Sequence, residues 1–292
     1  MGKAEGNLQY LGLIGMHNPF LLKGMHKALD RIAKAINNRE KIVLYGYYDV
    51  DSIMGISIIM LVLKYLNADV EYFIPDEYCE SCEIDINHVN NSIKYFGADL
   101  LVTIGCGTNS KDGINLCKKL GIDAIVVDYH KQYQKLDDII LINPNQKGCK
   151  YPFKELLGSG LTFKLCEAIS TYYEIKCINK YMDLAAIGIV SKLKNVYGEN
   201  EVILNEGLNR MITTNNHGIN ALIELKKLEE INIETALLIA SSVEPTINAV
   251  GRMDNARIAV ELFTTKDSYR ALQIGKYLNN EVNGRQNILR TY

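Results

Sequence analysis

Five short runs dominated by Val, Ile and Leu recur through the first half of the chain: KIVLYG (41–46), DVEYFI (69–74), DLLVTI (99–104), DAIVVD (123–128) and DIILIN (138–143). They are near-continuous in apolar character, which marks strands buried on both faces. Helical stretches separate them: Ile53 to Leu66, apolar on most sides, one near 86–95 and one near 110–119. Doubly buried strands spaced by helices form a parallel sheet covered on both sides. The expected fold is α/β, a five-stranded parallel sheet flanked by helices. In such a sheet, ligands sit just past the carboxyl ends of the strands.

From about residue 158 the pattern becomes helix after helix, over 181–193, 199–212, 216–228, 233–241 and a polar stretch from Asp267 to Tyr292. The expected division is a helical lead-in over 1–40, an α/β domain with a helical second half over 41–265, and the start of a long connecting helix over 266–292. That last helix meets the final residue without a cap or a Gly/Pro stop, as expected where a longer relative continues.

The 292 residues are 48% hydrophobic and 23% charged, which excludes a disordered or fibrous chain. A net charge of −2 excludes a polycation, so any nucleic-acid surface must be a local patch. The longest apolar run, Ile53 to Leu63, is too short to span a bilayer, and the opening MGKAEGNLQY lacks the apolar core of a signal peptide, so no membrane association is expected. Seven cysteines at irregular spacing, with Cys79 and Cys82 the one C-x-x-C, read as reduced thiols of a cytoplasmic protein rather than a zinc site.

Three strand ends carry polar clusters: GYYDVDS (46–52), TIGCGTNS (103–110) and DYHK (128–131). Carboxylates and an imidazole converging from several strand ends suit a two-metal phosphoesterase, in which acids hold the ions and the ions activate water. A plainer reading stays open on spacing alone. Asp51 or Ser52 caps the following helix, and Asp128 closes a turn. His17, His26, His88 and His217 read as surface or capping residues.

At these positions the sequence resembles the RecJ branch of the DHH phosphoesterases, which includes single-strand-specific 5′→3′ DNA exonucleases. HNPFLLKGMHKALDRIAKAI (17–36) resembles the lead-in helix, and KIVLYGYYDVDS the first motif, usually written GDYDVDG. LLVTIGCGTNS resembles the second motif (T-V-D-C/N-G), VVDYH the D-H-H signature, and INPNQKGCKYPFKELLGSGLTFKL (142–165) the N-P … Y-P … G-x-G segment. DLAAIGIVSKLKNV (183–196) is similar to the fourth motif, and PTINAVGRMDNARIAVELF (245–263) to the R-I-N-A-x-G-R segment. The resemblance implies two divalent ions, Mn²⁺ or Mg²⁺, held by acids of motifs one, two and four and by the first His of D-H-H.

Carried over position by position, Asp49 and Asp51 survive from motif one. The bridging acid of motif two falls on Gly105, the first His of D-H-H on Tyr129, and the acid of motif four on Lys192. Tyr47 replaces the leading Asp of G-D-Y-D, and Ser52 its Gly. Glu77 and Ser81-Cys82-Glu83 stand where the family tends to have an Arg and a G-Y-G turn. Asp49, Asp51 and Asp128 are thus the remnant of a metal site, with His130 a residual catalytic position. Asn248, Gly251 and Arg252 are candidates for binding phosphate, as are the helix-opening amides at 158–160.

Without a bridging carboxylate, two dications ~4 Å apart repel by several kcal/mol even with strong screening. An ammonium at Lys192 adds to that repulsion or, beside Asp49 and Asp51, takes the place of the lost positive charge; a Lys192 in solvent does neither. The expectation is a RecJ-like fold with a dismantled centre and no bound cofactor. Such a chain is a pseudoenzyme that binds single-stranded DNA or a DNA-repair or replication protein. The alternative is an active exonuclease or phosphodiesterase with a rebuilt Mn²⁺ or Mg²⁺ site. Family members continue past the long helix into a clamp domain (DHHA1) that closes over the strand, and no part of this sequence matches it.

Overall fold

The computed structural model describes residues 13–75, 83–136, 138–192, 196–244 and 255–289, with side chains in the last segment described for 256–281. Five parallel strands, β1 (Ile42–Gly46), β2 (Val70–Phe73), β3 (Leu100–Ile104), β4 (Asp123–Val127) and β5 (Ile140–Ile142), form one sheet in the order β2-β1-β3-β4-β5. The expected sheet and its five strands are all present. Ile42 pairs with Val70 on one side and Leu100 on the other, so β1 lies in the interior. The chain leaves β1 toward one edge and returns to its other side for β3. The crevice at that reversal, between the carboxyl ends of β1 and β3, is where sheets of this kind bind ligands.

Alternate strand residues serve two cores. Leu44, Val102, Ile104 and Val127 face a large cluster with α1 (Met25–Asn38), α2 (Val50–Tyr65), α5 (Gly158–Tyr172) and α6 (Met182–Ser191). Val43, Tyr45, Leu101 and Val126 face a smaller one with α4 (Lys111–Lys119) and the 86–93 segment. The larger cluster continues through α7 (Glu199–Met211), α8 (His217–Lys226), α9 (Ile233–Ser242), α10 (Asn255–Thr264) and α11 (Ser268–Leu289). α2 is enclosed between the sheet and the helical half, which is why it is apolar on most sides.

The structure amends several expectations. The stretch near 86–95 is one turn, α3 (Ile86–His88), widening into a π turn over Val89–Ile93. α10 has no counterpart among the expected helices, because its residues read only as a motif. α2 begins at Val50, and its cap is Asp49 rather than Asp51 or Ser52. His88 is half-buried, its Nδ1 2.9 Å from Tyr45 Oη beside Phe73, so it belongs to a packed aromatic group rather than to the surface.

Two buried ionised groups mark the helical half. Lys164, fully buried, places its ammonium 2.9 Å from Glu167, 3.2 Å from Glu199 and 2.7 Å from the His17 carbonyl, tying the lead-in to α5 and α7. Asp183, 5% exposed in the first turn of α6, accepts from Thr214 Oγ1 and the Leu184 N–H. Burial outweighs those bonds and pushes its carboxyl up to about 6, from an ordinary 3.8. A folded-state value above the unfolded one makes stability fall as pH rises through 4 to 6. Asp183→Asn is therefore expected to stabilise the fold by about 2 kcal/mol at pH 7 and to gain nothing at pH 4, read from urea unfolding at both pH values.

Candidate functional site

Past β1 the chain turns through Tyr47 and Tyr48 to Asp49, whose extended backbone and side chain start α2 by accepting the Ser52 N–H at 2.8 Å. Past β3 comes Gly105 in the left-handed region at φ +73°, with its N–H on the Val127 carbonyl. Past β4 comes Asp128. Lys192, at the carboxyl end of α6, reaches back across the crevice with its ammonium 2.7 Å from Asp49 Oδ2. The structure thus brings Asp49, Asp51, Gly105, Asp128, Tyr129, His130 and Lys192 to one set of strand ends. Asn248, Gly251, Arg252, Cys79, Cys82, Glu77 and Ser81 lie outside the described residues.

Each remaining carboxylate is already engaged by donors of the chain itself. Asp51, 1% exposed, accepts the N–H groups of Gly158 and Ser159, one on each oxygen, both at 2.8 Å. Those are the first amides of α5, where a helix favours an anion, so Asp51 fills the anion position that the glycine-rich opening could have offered a ligand. Gly158 is required there, since a Cβ would stand 2.8 Å from Asp51 Oδ2. Burial, then the neighbouring Asp49, push the Asp51 carboxyl up to about 6, against the pull of Ser159 and Lys192. Asp128, 1% exposed, accepts from the N–H groups of Thr108, Tyr129 and His130 and sits 2.7 Å from His130 Nδ1. Burial alone would raise its carboxyl, but the His130 and Thr108 bonds win and hold it below the usual range.

The place opposite Gly105 is filled. A Cβ built there would meet Ser52 Oγ at 2.8 Å, and that hydroxyl is turned toward the Ile104 carbonyl. Gly105 carries no side chain, and Ser52 takes up the space beside it. Cys106 points into the smaller core, as expected of a neighbour on the opposite face. Among the described residues no three His, Cys, Asp or Glu side chains group as metal ligands would. The donor set does not fit a two-ion centre.

Sequence reasoning missed the frame behind D-Y-H. Asn143 Nδ2 donates to Thr108 Oγ1 and the His130 carbonyl, and Asn145 Nδ2 to the carbonyls of Tyr129 and Lys154. The N-P signal at 143–144 was the available clue. Also missed was an aromatic surface, because Tyr129 stacks on His130 with ring centroids 4.5 Å apart and 23° between planes.

A family model described as "DHH family, N-terminal domain" matches residues 41–189, just over half of the chain. The chain belongs to the DHH family. It is 36% identical to the single-stranded-DNA-specific exonuclease RecJ of Bacillus subtilis over 94% of its own length, but that span is 34% of the relative. A crystal structure of exonuclease RecJ bound to manganese superposes with a TM-score of 0.82 at 25% identity, covering 95% of this chain and 69% of that one. RecJ in complex with Mn²⁺ from Thermus thermophilus gives 0.76 at 26% identity, over 92% and 38%. This RecJ-like DHH chain spans about a third of the bacillary relative. No helix among the described residues is long and apolar enough to cross a membrane.

Within this DHH site the Lys192–Asp49 pair is partly exposed, at 33% and 20%. Solvent therefore screens it, and Lys192→Ala is expected to cost about 1 kcal/mol at pH 7. The loss should shrink toward pH 4, because a neighbouring carboxylate left without the ammonium takes up a proton more readily. Thermal melts at the two pH values read the difference.

Proposed function

We propose that this chain is a catalytically silent RecJ-like module that acts by binding, with single-stranded DNA as its ligand, rather than by hydrolysis. One observation carries the reading: the Lys192 ammonium lies 2.7 Å from Asp49, on the side of the crevice where the family's fourth-motif acid falls. It supplies the positive charge that an ion would otherwise bring. The filled space at Gly105 supports the same reading, since no carboxylate remains there to bridge two ions. The half-exposed Tyr129–His130 stack supports a nucleic-acid ligand, because any base can stack on such a face.

The test is purified protein on 5′-phosphorylated single strands with Mn²⁺, alongside elemental analysis of bound metal. Binding without degradation, and no stoichiometric Mn or Mg, is the expected result. Degradation that disappears in Asp49→Asn would overturn it in favour of a rebuilt metal site. Asn caps a helix as well as Asp, so that substitution leaves α2 intact. Strands that neither bind nor degrade would remove the DNA reading and leave a DNA-repair or replication protein as the partner.

Restoring the centre is expected to need four changes. Gly105→Asp with Tyr129→His and Lys192→Asp should not gain Mn²⁺ affinity by calorimetry while Ser52 Oγ stands 2.8 Å from the new Cβ. Adding Ser52→Gly clears that space, and saturable Mn²⁺ binding should then appear.

A further inference from the structure

A second site lies at the far end of α2. The helix runs 16 residues from the strand-end crevice, roughly 24 Å at 1.5 Å per residue. At its carboxyl end a cavity of about 390 Å³ opens between α2, the start of α6, α7, the start of α8 and the α10–α11 junction. That volume falls in the range of small-molecule pockets. Four cations line it, Lys64, Lys180, Arg210 and Lys266, against one acid, Asp183. Asp183 is taken up by Thr214 and the Leu184 N–H, so the positive charge is in excess.

Two features go beyond a general cationic surface. Arg210 pairs through one terminal nitrogen with Glu206, but its Nε is buried without an acceptor among the described residues. Arg210 lines the cavity with its side chain 34% exposed, so the part of its guanidinium that is not buried can meet an oxyanion there. The walls are also aromatic, since Tyr65, Tyr181 and Phe263 line the cavity and the Lys180 ammonium lies 4.7 Å over the Tyr181 ring. Phosphate alone would use the cations and not the rings, and a neutral ring would use the aromatic wall and not the cations.

We infer that this cavity binds a nucleoside monophosphate, its phosphate on Arg210, Lys64 and Lys180 and its base against the tyrosines. The nucleotide is either free or the terminal residue of a strand. Nothing in the strand-end crevice enters this assignment, so it stands or falls apart from the proposed function.

The experiment is calorimetric titration of the full chain with 5′-AMP, inorganic phosphate, adenosine and a 5′-phosphorylated oligothymidylate. Expected is one saturable site for 5′-AMP, with phosphate and adenosine each at least tenfold weaker. The Lys64→Ala/Lys180→Ala double variant, both residues exposed, should weaken 5′-AMP binding by tenfold or more. Arg210→Lys, which keeps charge but removes the planar fork of N–H donors, should weaken it about fivefold. Competition by the oligothymidylate for this site assigns it to strand ends, and its failure to compete assigns it to free nucleotide. The inference is overturned if no 5′-AMP binding saturates at millimolar concentration, if phosphate binds as well as 5′-AMP, or if the double variant binds unchanged.

Discussion

Asp51→Ala is expected to be the most damaging single substitution in the strand-end crevice, at about 2–4 kcal/mol of folding stability. The loss arises from two stranded amides. Gly158 and Ser159 both donate to this carboxylate at 2.8 Å, in a place where the side chain is 1% exposed and water cannot take over. Removing a side-chain helix cap alone costs about 1 kcal/mol, and burial of both orphaned donors adds to it. Asp51→Asn should be nearly as harmful, since its NH₂ group would face one of those N–H donors. Chemical denaturation of the two variants measures this directly. A loss below about 1 kcal/mol in both would show that Asp51 is dispensable to α5. The consequence for function is practical. A dead Asp51 variant would say little about catalysis unless its folded fraction were known, whereas Asp49→Asn separates chemistry from folding.

How much of this was legible in the sequence varies with the range of the interaction. The five strands were legible because short apolar runs spaced by helices suit a covered parallel sheet, edge strand β2 being only part-buried, and all five are found within a residue or two of the expected bounds. The convergence of Asp49, Gly105, Asp128 and Lys192 was legible through ordered motifs that a shared fold had already placed at strand ends. The cap on α2 was misplaced by two or three residues because Asp49, Asp51 and Ser52 are all competent caps and only backbone geometry chooses between them. The bond from Asp51 to the start of α5 spans 107 residues and leaves no local pattern. The cavity at the far end of α2 was invisible for the same reason, its lining coming from well-separated stretches of chain.

Substitutions at the crevice make sense as a set rather than singly. A side chain at 105 would crowd Ser52, and the glycine there leaves Ser52 Oγ its place beside the Ile104 carbonyl. A lysine at 192 without Asp49 would lose the carboxylate that its ammonium meets at 2.7 Å, and Asp49 without the lysine would face Asp51 with less to offset the repulsion. Each change is tolerable given the other. That reciprocity makes the crevice self-sufficient in charge.

The same logic, at deeper burial, predicts the largest stability effect in the molecule. Lys164→Met is expected to cost about 3–5 kcal/mol, because it removes one partner of a buried ion group and strands the others. Lys164 is fully buried, with Glu167 and Glu199 at 6% and 1% side-chain exposure. Glu199 also accepts from Tyr151 Oη at 2.7 Å and from the His17 N–H at 2.8 Å, so it cannot swing out to water without releasing the lead-in. The ammonium in turn donates to the His17 carbonyl, so the variant should also raise hydrogen exchange at the lead-in around His17. Methionine has nearly the length of lysine, so the loss measures charge rather than cavity. Removing the whole group tests the assignment. Lys164→Met with Glu167→Gln and Glu199→Gln should recover at least half of the loss, since an uncharged cluster of similar shape leaves no buried ion uncompensated. Equal instability of the single and triple variants would mean that packing around the Lys164 stem, and not its ammonium, holds the lead-in to α5.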